Sequence, residues 1–241
     1  MKISVVIPAF NEEKLLAATL RAVATAMAAF GQRGWMTELI VCDNNSTDST
    51  AELARRAGAT VVFEPINQIS RARNAGAAAA SGDWLLFIDA DSVPTVELFE
   101  DVAEQIAGGR CLAGGSTVRM HSEVGWGQAL CRLWNWLSLR RHLLAGSFIF
   151  CDAAACRAVG RFSEELFASE ELELSRRLKK RAAQQGKAVV ILDRHPLLTS
   201  DRKVHLYSRW EWLTFLVRVT LGLGRPLRRR EACSQWYDGR R

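Results

Sequence analysis

What most constrains this chain is a rhythm in its first half. Ile3–Ile7 is a short, largely β-branched run closed by Pro8, and Leu39–Cys42, Thr60–Phe63 and Trp84–Ile88 repeat its character. Short apolar runs bounded by turn residues predict buried strands. Between them the spacing becomes helical. Leu15, Leu16, Leu20, Val23 and Met27 mark a helix over 12–30, and 47–57 follows with Ser46 near its cap and Gly58 after its end. Then come an alanine-rich helix at 70–80 and one at 97–106 stopped by Gly108 and Gly109. Strands alternating with helices predict βαβ units, and so an α/β fold. Its Rossmann-like, mostly parallel central sheet is flanked by helices on right-handed crossovers.

The second half is less regular. Residues 111–120 read as a strand interrupted by Gly114 and Gly115, 126–139 as an aromatic helix and 147–151 as a short strand. A helix at 170–185, a strand at 188–192 and an amphipathic helix at 207–223 complete the pattern. In 241 residues there is no internal repeat and no linker, so one domain is preferred. The six cysteines form no CxxC pair and several sit in apolar segments, as small hydrophobes do. The N-terminus turns polar too soon for a signal peptide, and no run of about 18 apolar residues marks a membrane span. A reduced, cytoplasmic protein without disulfides is expected.

In an open α/β sheet, ligands bind beyond the carboxyl ends of the strands. Three of the expected strands end in polar clusters: Pro8-Ala9-Phe10-Asn11-Glu12, Asp43-Asn44-Asn45-Ser46-Thr47-Asp48 and Asp89-Ala90-Asp91-Ser92. Any one of them serves equally as a turn or a helix cap. Three on one predicted edge point to a shared site. Asp89 and Asp91 are like charges two residues apart, which calls for a cation beside them. Oxygen ligands without nearby cysteine or histidine suit Mg²⁺ or Mn²⁺, and Mg²⁺ is held by one or two carboxylates plus substrate phosphates. The competing use is an Asx-turn capping the next helix, with Pro94 near its start. Arg71 and Arg73 open a helix, where the dipole disfavours cations, so each needs an acidic neighbour or a ligand unless both face solvent. Gly114 and Gly115 fit either a close approach of backbone to a ligand or a bulge.

The stretches VVIPAFNEE, IVCDNNSTDST, SRARNAGAAAASGDWLLFIDADS and GRFSEELFASEELELSRRL occur in this order within residues 3–180. Together they resemble the family 2 glycosyltransferases of GT-A fold. The resemblance implies a GT-A domain at 1–205, with a nucleotide-binding half (1–110) and an acceptor half (111–205), and a helical, basic extension at 206–241. It implies that Pro8, Ala9, Phe10 and Glu12 hold the nucleoside, that Asp43 reads the base with Asn45 beside it, and that Arg73 lies beside the nucleotide. Asp89 and Ala90 would border the diphosphate. Asp91 would be the more direct ligand of Mn²⁺ or Mg²⁺, joined by Asp89 and by a late histidine, His205 or His195. His121 and His142 fall in the region expected to face the acceptor.

Inverting sugar transfer also requires a carboxylate to take the acceptor's proton. The family supplies it as the aspartate of a Glu-Asp pair opening a late helix. Here the pair is Glu170-Glu171, with Glu171 in the aspartate's place and Glu170 as the alternative. Acidic residues also favour a helix's first turn for its dipole alone.

The implied activity is inverting, metal-dependent transfer from a UDP- or GDP-sugar to a hydroxyl of a carbohydrate, lipid-linked or small-molecule acceptor, in polysaccharide, glycolipid or cell-envelope glycan synthesis. A nucleotidyltransferase is the rival enzyme, but the acidic PAFNEE loop lacks the glycine-rich, basic character expected there. A non-catalytic nucleotide-sugar-binding protein is the other rival.

The net charge of +6 gathers at the C-terminus, where Arg225, Arg228, Arg229, Arg230, Arg240 and Arg241 face only Glu231 and Asp238. Trp210, Trp212, Phe215, Leu216, Val219 and Leu223 would line one side of the 207–223 helix, flanked by arginines. That suits peripheral contact with the inner face of a membrane, packing on the sheet, or a homodimer contact. No base-reading motif supports nucleic-acid binding.

Overall fold

The computed structural model describes residues 1–120 and 125–237. His121 and the side chain of Leu216 lie outside the described residues. Strand β1 (Lys2–Ala9) is buried from Ile3 onward. Parallel partners flank it on both sides, β2 (Met36–Asp43) and β4 (Trp84–Ile88), and β3 (Thr60–Phe63) extends the parallel set beyond β2. Successive side chains of a strand point to opposite faces. Ile3, Val5 and Ile7 therefore enter one apolar layer with Leu86 and Ile88, while Val6 enters another with Leu85 and Phe87. This is why these strands read as nearly unbroken apolar runs.

Helices α1 (Leu16–Ala26), α2 (Ala28–Gly31) and α5 (Val96–Ala107) close the first layer through Leu20, Phe30 and Phe99. A short helix, α3 (Thr50–Arg56), packs beside α1. The second layer is closed by α4 (Ile69–Ala79), α7 (Ala153–Ala158) and α8 (Glu170–Gln184), through Ala77, Cys156, Leu174 and Leu178.

The remaining strands are β5 (Ser92–Val93), β6 (Cys111–Met120), β7 (Phe148–Asp152) and β8 (Ala188–Thr199), and the sheet runs β3-β2-β1-β4-β7-β6-β8-β5. β7 is antiparallel to both neighbours, β6 and β8 are parallel, and β5 pairs antiparallel with the end of β8. The result is a single α/β domain on a curled, mostly parallel sheet. Helix α6 (Gly125–Arg141) packs on β6, and α9 (Arg202–Leu206), α10 (Arg209–Leu221) and α11 (Ser234–Tyr237) follow the sheet.

Several boundaries differ from the sequence expectation for identifiable reasons. The helix expected over 12–30 begins only at Leu16, because Asn11 takes a left-handed φ of 51° and Glu12 closes a turn, and it breaks at Met27 into α1 and α2. β8 runs seven residues beyond Leu192, because it pairs first with β6 and then with β5. The helix expected from Thr47 starts at Thr50, with the residues before it held in side-chain turns. All six cysteines are buried and unbridged.

The Gly114-Gly115 pair lies inside β6, with register shifts on either side of it rather than at it. A Cβ on Gly114 would fall 2.3 Å from the Phe150 ring, and one on Gly115 would fall 3.0 Å from the Phe148 carbonyl oxygen. The glycines make room for β7, and neither lines the cleft described below. Overpacking a filled core costs about 1–3 kcal/mol. Gly114→Ala is accordingly expected to lower unfolding free energy by about that amount in a denaturant titration, with the slope unchanged.

Candidate active site

The carboxyl ends of β1 and β4 open into a cleft bordered by Pro8, Ala9, Phe10, Glu12, Asp89, Ala90 and Asp91. The Asp89–Asp91 turn is pinned by its backbone. Asp89 N donates to the Ser147 carbonyl (3.2 Å), Thr19 Oγ1 donates to the Ala90 carbonyl (2.8 Å), and Ser200 N donates to the Asp91 carbonyl (3.1 Å). The cap of α5 is Thr95, whose Oγ1 accepts from Leu98 N, so neither aspartate is needed for that task.

Two guanidinium groups meet the aspartates. Arg73 is 1% exposed, and its Nη2 donates to Asp89 Oδ1 (2.9 Å) and to the Gly146 carbonyl (2.8 Å) while Nη1 donates to Glu170 Oε1 (2.5 Å). Burial works against its charge, but Asp89, Glu170 and Glu171 outweigh burial and raise its pKa. Arg202 forks onto both carboxylate oxygens of Glu12 (2.9 and 2.7 Å) and approaches Asp91 Oδ2 at 3.5 Å. Arg71 pairs with Glu164 at 2.9 Å, so both arginines of the α4 start have acidic neighbours.

Glu171 lies beside this cluster. A Cβ on Gly146 would sit 3.2 Å from Arg73 Nη2 and 3.6 Å from the Glu171 carboxyl carbon, so a side chain there would press on the guanidinium. Burial, and then the Glu170 charge, push the Glu171 carboxyl up to about 8, against the pull of Arg73. Its turn is set by Ser169, which enters α8 with a left-handed φ of 61°.

The other expected residues fall around the cleft rather than in its lining. Asp43 is buried, and its Oδ1 accepts from Ser46 N at 3.0 Å, an Asx-turn. Asn45 is exposed with a φ of 65°, while its neighbour Asn44 lines the cleft. Arg73, Glu170 and Glu171 stand behind Asp89. His205 does not line the cleft, and its Nε2 is 3.0 Å from Asp201 Oδ2. His195 Nδ1 is 2.9 Å from Asp101 Oδ2, also outside the cleft, and His142 is exposed.

Asn67, Ile69, Arg202, Tyr207 and Gln235 line the cleft without having been expected there, and Asn44 does so from within a strand-end cluster that was. Arg202 had a signal: it lies just past the carboxyl end of β8, and the strand-end argument would have reached it had that strand been read to Thr199.

Among the described residues no three His, Cys, Asp or Glu side chains form a ready cage for a metal ion. Two carboxylates on the cleft wall, 29% and 18% exposed, are nonetheless a donor set of the kind that hard divalent cations use when a bound phosphate completes the shell. The residues fit Mg²⁺ or Mn²⁺ on those terms.

The sheet order, the cleft at its carboxyl edge and the aspartate pair define a GT-A type of nucleotide-sugar fold. The model for "Glycosyl transferase family 2" matches residues 4–167, and the chain belongs to that family. An uncharacterized glycosyltransferase of Mycobacterium tuberculosis is 39% identical over 113 residues, 46% of this chain and 47% of the relative. The chain thus matches about half the length of such curated relatives.

Among solved structures, the mannosyltransferase PcManGT of Pyrobaculum calidifontis in complex with GDP-Man and Mn²⁺ superposes with a TM-score of 0.67 at 16% identity, over 94% of this chain and 62% of that one. Glucosyl-3-phosphoglycerate synthase of Mycobacterium tuberculosis in complex with Mn²⁺, UDP and phosphoglyceric acid gives 0.59 at 22%, over 91% and 76%.

The raised Glu171 pKa has a stability consequence. In the unfolded chain a glutamate ionises near pH 4.3, so between there and about pH 8 the folded state holds a proton that the unfolded state has lost. Stability falls as pH rises through that window. Glu171→Gln should melt close to wild type at pH 4.5 and progressively higher than wild type up to pH 8, as followed by thermal unfolding in a pH series.

Proposed function

We propose that this chain is an inverting, divalent-metal-dependent glycosyltransferase that moves a sugar from a UDP- or GDP-sugar to an acceptor hydroxyl, in polysaccharide, glycolipid or cell-envelope glycan synthesis. One observation carries the reading: a carboxyl of raised pKa, Glu171, stands beside the Arg73–Asp89 pair, just behind a cleft that Asp89 and Asp91 border. The binding of GDP-Man, UDP and Mn²⁺ by structural neighbours supports the choice of donor and ion.

In this reading Pro8, Ala9, Phe10 and Glu12 border the nucleoside, and Asp43 with Asn45 orders the loop at the base. Arg73 holds Asp89 and Glu170 in place. Glu170 is already engaged by Arg73, which leaves Glu171 as the base. In its ionised form, whose share grows as pH rises toward about 8, Glu171 takes the proton of the acceptor hydroxyl while that oxygen bonds to the anomeric carbon. The bond from that carbon to the diphosphate breaks, and its electron pair leaves with the nucleoside diphosphate. A cation on Asp89 and Asp91, when bound, would offset the charge on the departing group. Arg202, released from Glu12, would turn its fork to the same phosphates, since planar guanidinium matches phosphate oxygens.

Removing the acid–base group costs about 10²–10⁴-fold in rate. Glu171→Gln should lose transfer by that factor while still binding UDP or GDP. Asp91→Ala should lose Mn²⁺-stimulated release of nucleoside diphosphate from a donor panel. Full turnover by Asp91→Ala would overturn the metal role.

The C-terminal helix supports a peripheral membrane role. Trp210, Leu213, Val217 and Leu221 are exposed along α10 beside Arg209 and Arg218, and no helix among the described residues is long and apolar enough to cross a bilayer. Apolar burial combined with cationic attraction favours an anionic interface. Sedimentation with phosphatidylglycerol vesicles is expected for wild type, and Trp210→Ser with Leu221→Ser should abolish most of it.

A further inference from the structure

Part of the cleft lining comes from the C-terminal segment. Leu206, Tyr207, Gln235, Trp236 and Tyr237 line it together with the strand ends. The family match stops at residue 167, so it assigns nothing to this segment. The segment is nevertheless built in. Phe167 N donates to the Leu227 carbonyl (2.7 Å), the Phe167 ring meets Tyr237 edge-on at 5.6 Å, and Tyr237 Oη accepts from Ile69 N at 3.4 Å. Phe215 and Cys233 join Ala168 in a small apolar cluster beneath it. The C-terminal turn thus rests on the loop that leads directly into Glu170 and Glu171.

Within that turn Gln235 is 7% exposed, and its Oε1 has no hydrogen-bond partner among the described residues. A buried, unpaired amide oxygen is costly, and native structures rarely leave one without a reason. Carbonyl oxygen only accepts. Phosphate oxygens and carboxylates also accept, so neither the diphosphate nor Glu170 can satisfy it. A hydroxyl can. The turn sits on the base side of the cleft: after burial, the Glu170 charge is what pushes the Cys233 thiol up to about 11 and raises the Tyr237 hydroxyl as well.

We propose that Gln235 is a specificity-determining residue of the donor site, whose carboxamide oxygen accepts a hydrogen bond from a hydroxyl of the bound nucleotide sugar. The C-terminal turn is then part of the binding site and not only a surface extension. This rests on the donor-site reading above.

The test is calorimetric titration of the purified full chain, in Mn²⁺, with UDP, GDP, UDP-GlcNAc and GDP-mannose. Gln235→Met keeps the length and removes the acceptor, and Gln235→Ala removes the side chain. Both are expected to weaken the sugar nucleotide that wild type binds best by about three- to tenfold, the range of one neutral hydrogen bond. Replacing an unpaired buried polar atom with an apolar one should leave the unliganded Gln235→Met protein melting at or above wild type.

A loss confined to the sugar conjugates assigns the hydroxyl to the transferred sugar. An equal loss for the free diphosphates assigns it to the ribose. Unchanged affinity for every probe that wild type binds, or a Gln235→Met protein that melts lower or fails to fold, overturns the proposal. Wild type binding none of the four would instead overturn the donor-site reading, and this inference with it.

Discussion

The buried guanidinium of Arg73 is the contact on which the site depends. It reaches from α4 to the end of β4 through Asp89, to the turn before β7 through the Gly146 carbonyl, and to the start of α8 through Glu170. The guanidinium carbon also lies 5.2 Å from the centre of the Phe162 ring, a cation–π contact. A buried charge of this kind is tolerated only while its partners stay in place. Removing one partner of such a pair costs about 3–5 kcal/mol, because the other is left uncompensated. The four segments are therefore held in one arrangement by electrostatics rather than by apolar packing alone.

That arrangement also sets the protonation of its neighbours. One guanidinium faces Asp89, Glu170 and Glu171, three carboxyls in a confined space. It is hydrogen-bonded to the first two. Glu171 is left with burial and the repulsion of Glu170, and so keeps its proton to about pH 8. Two adjacent glutamates of the same helix turn thus differ in their partners: Arg73 bonds Glu170, while burial and the Glu170 charge raise the Glu171 carboxyl. The sequence EE could not distinguish them, because the difference lies in which carboxyl Arg73 reaches.

Much of the architecture was legible because local pattern and burial agreed. β3, β4 and β6 begin and end where their apolar runs do, since turn residues bound them on both sides. β8 was cut short because its last residues serve a different pairing, with the two-residue strand β5 that no period could reveal. The strand-end argument found the cleft through Pro8–Glu12 and Asp89–Asp91. It was less able to say which polar residues face the cleft and which tie loops together. Asn44 and Asp43 are both buried, yet Asn44 lines the cleft and also holds Glu64, Ile66 and Gln68 in place, while Asp43 folds back on Ser46. Such choices are made by side-chain direction, which a spacing of one residue reverses. The arginines of α4 were legible as a local electrostatic conflict, and the structure resolves it with Asp89, Glu170 and Glu164.

The chain distributes its candidate site unevenly along its length. Everything that meets the cleft from the strand ends β1, β2 and β4 lies within the family match, on rigid elements buried on both faces. Glu170, Glu171, Arg202 and Gln235 all lie beyond it. They are reached through a left-handed turn at Ser169, the end of β8 and the C-terminal turn, and Glu170, Glu171 and Arg202 are fixed by a few specific contacts rather than by the sheet. Rigid scaffold elements that hold a constant group, combined with turns and loops that can vary, are how one fold serves many substrates. If the donor's diphosphate is held by the first set, the second set is where the identity of the sugar and the acceptor must be written. That is why the unpaired oxygen of Gln235 is better sought in hydroxyl recognition than in phosphate binding: a carbonyl oxygen only accepts, phosphate oxygens accept too, and a hydroxyl has the proton to share.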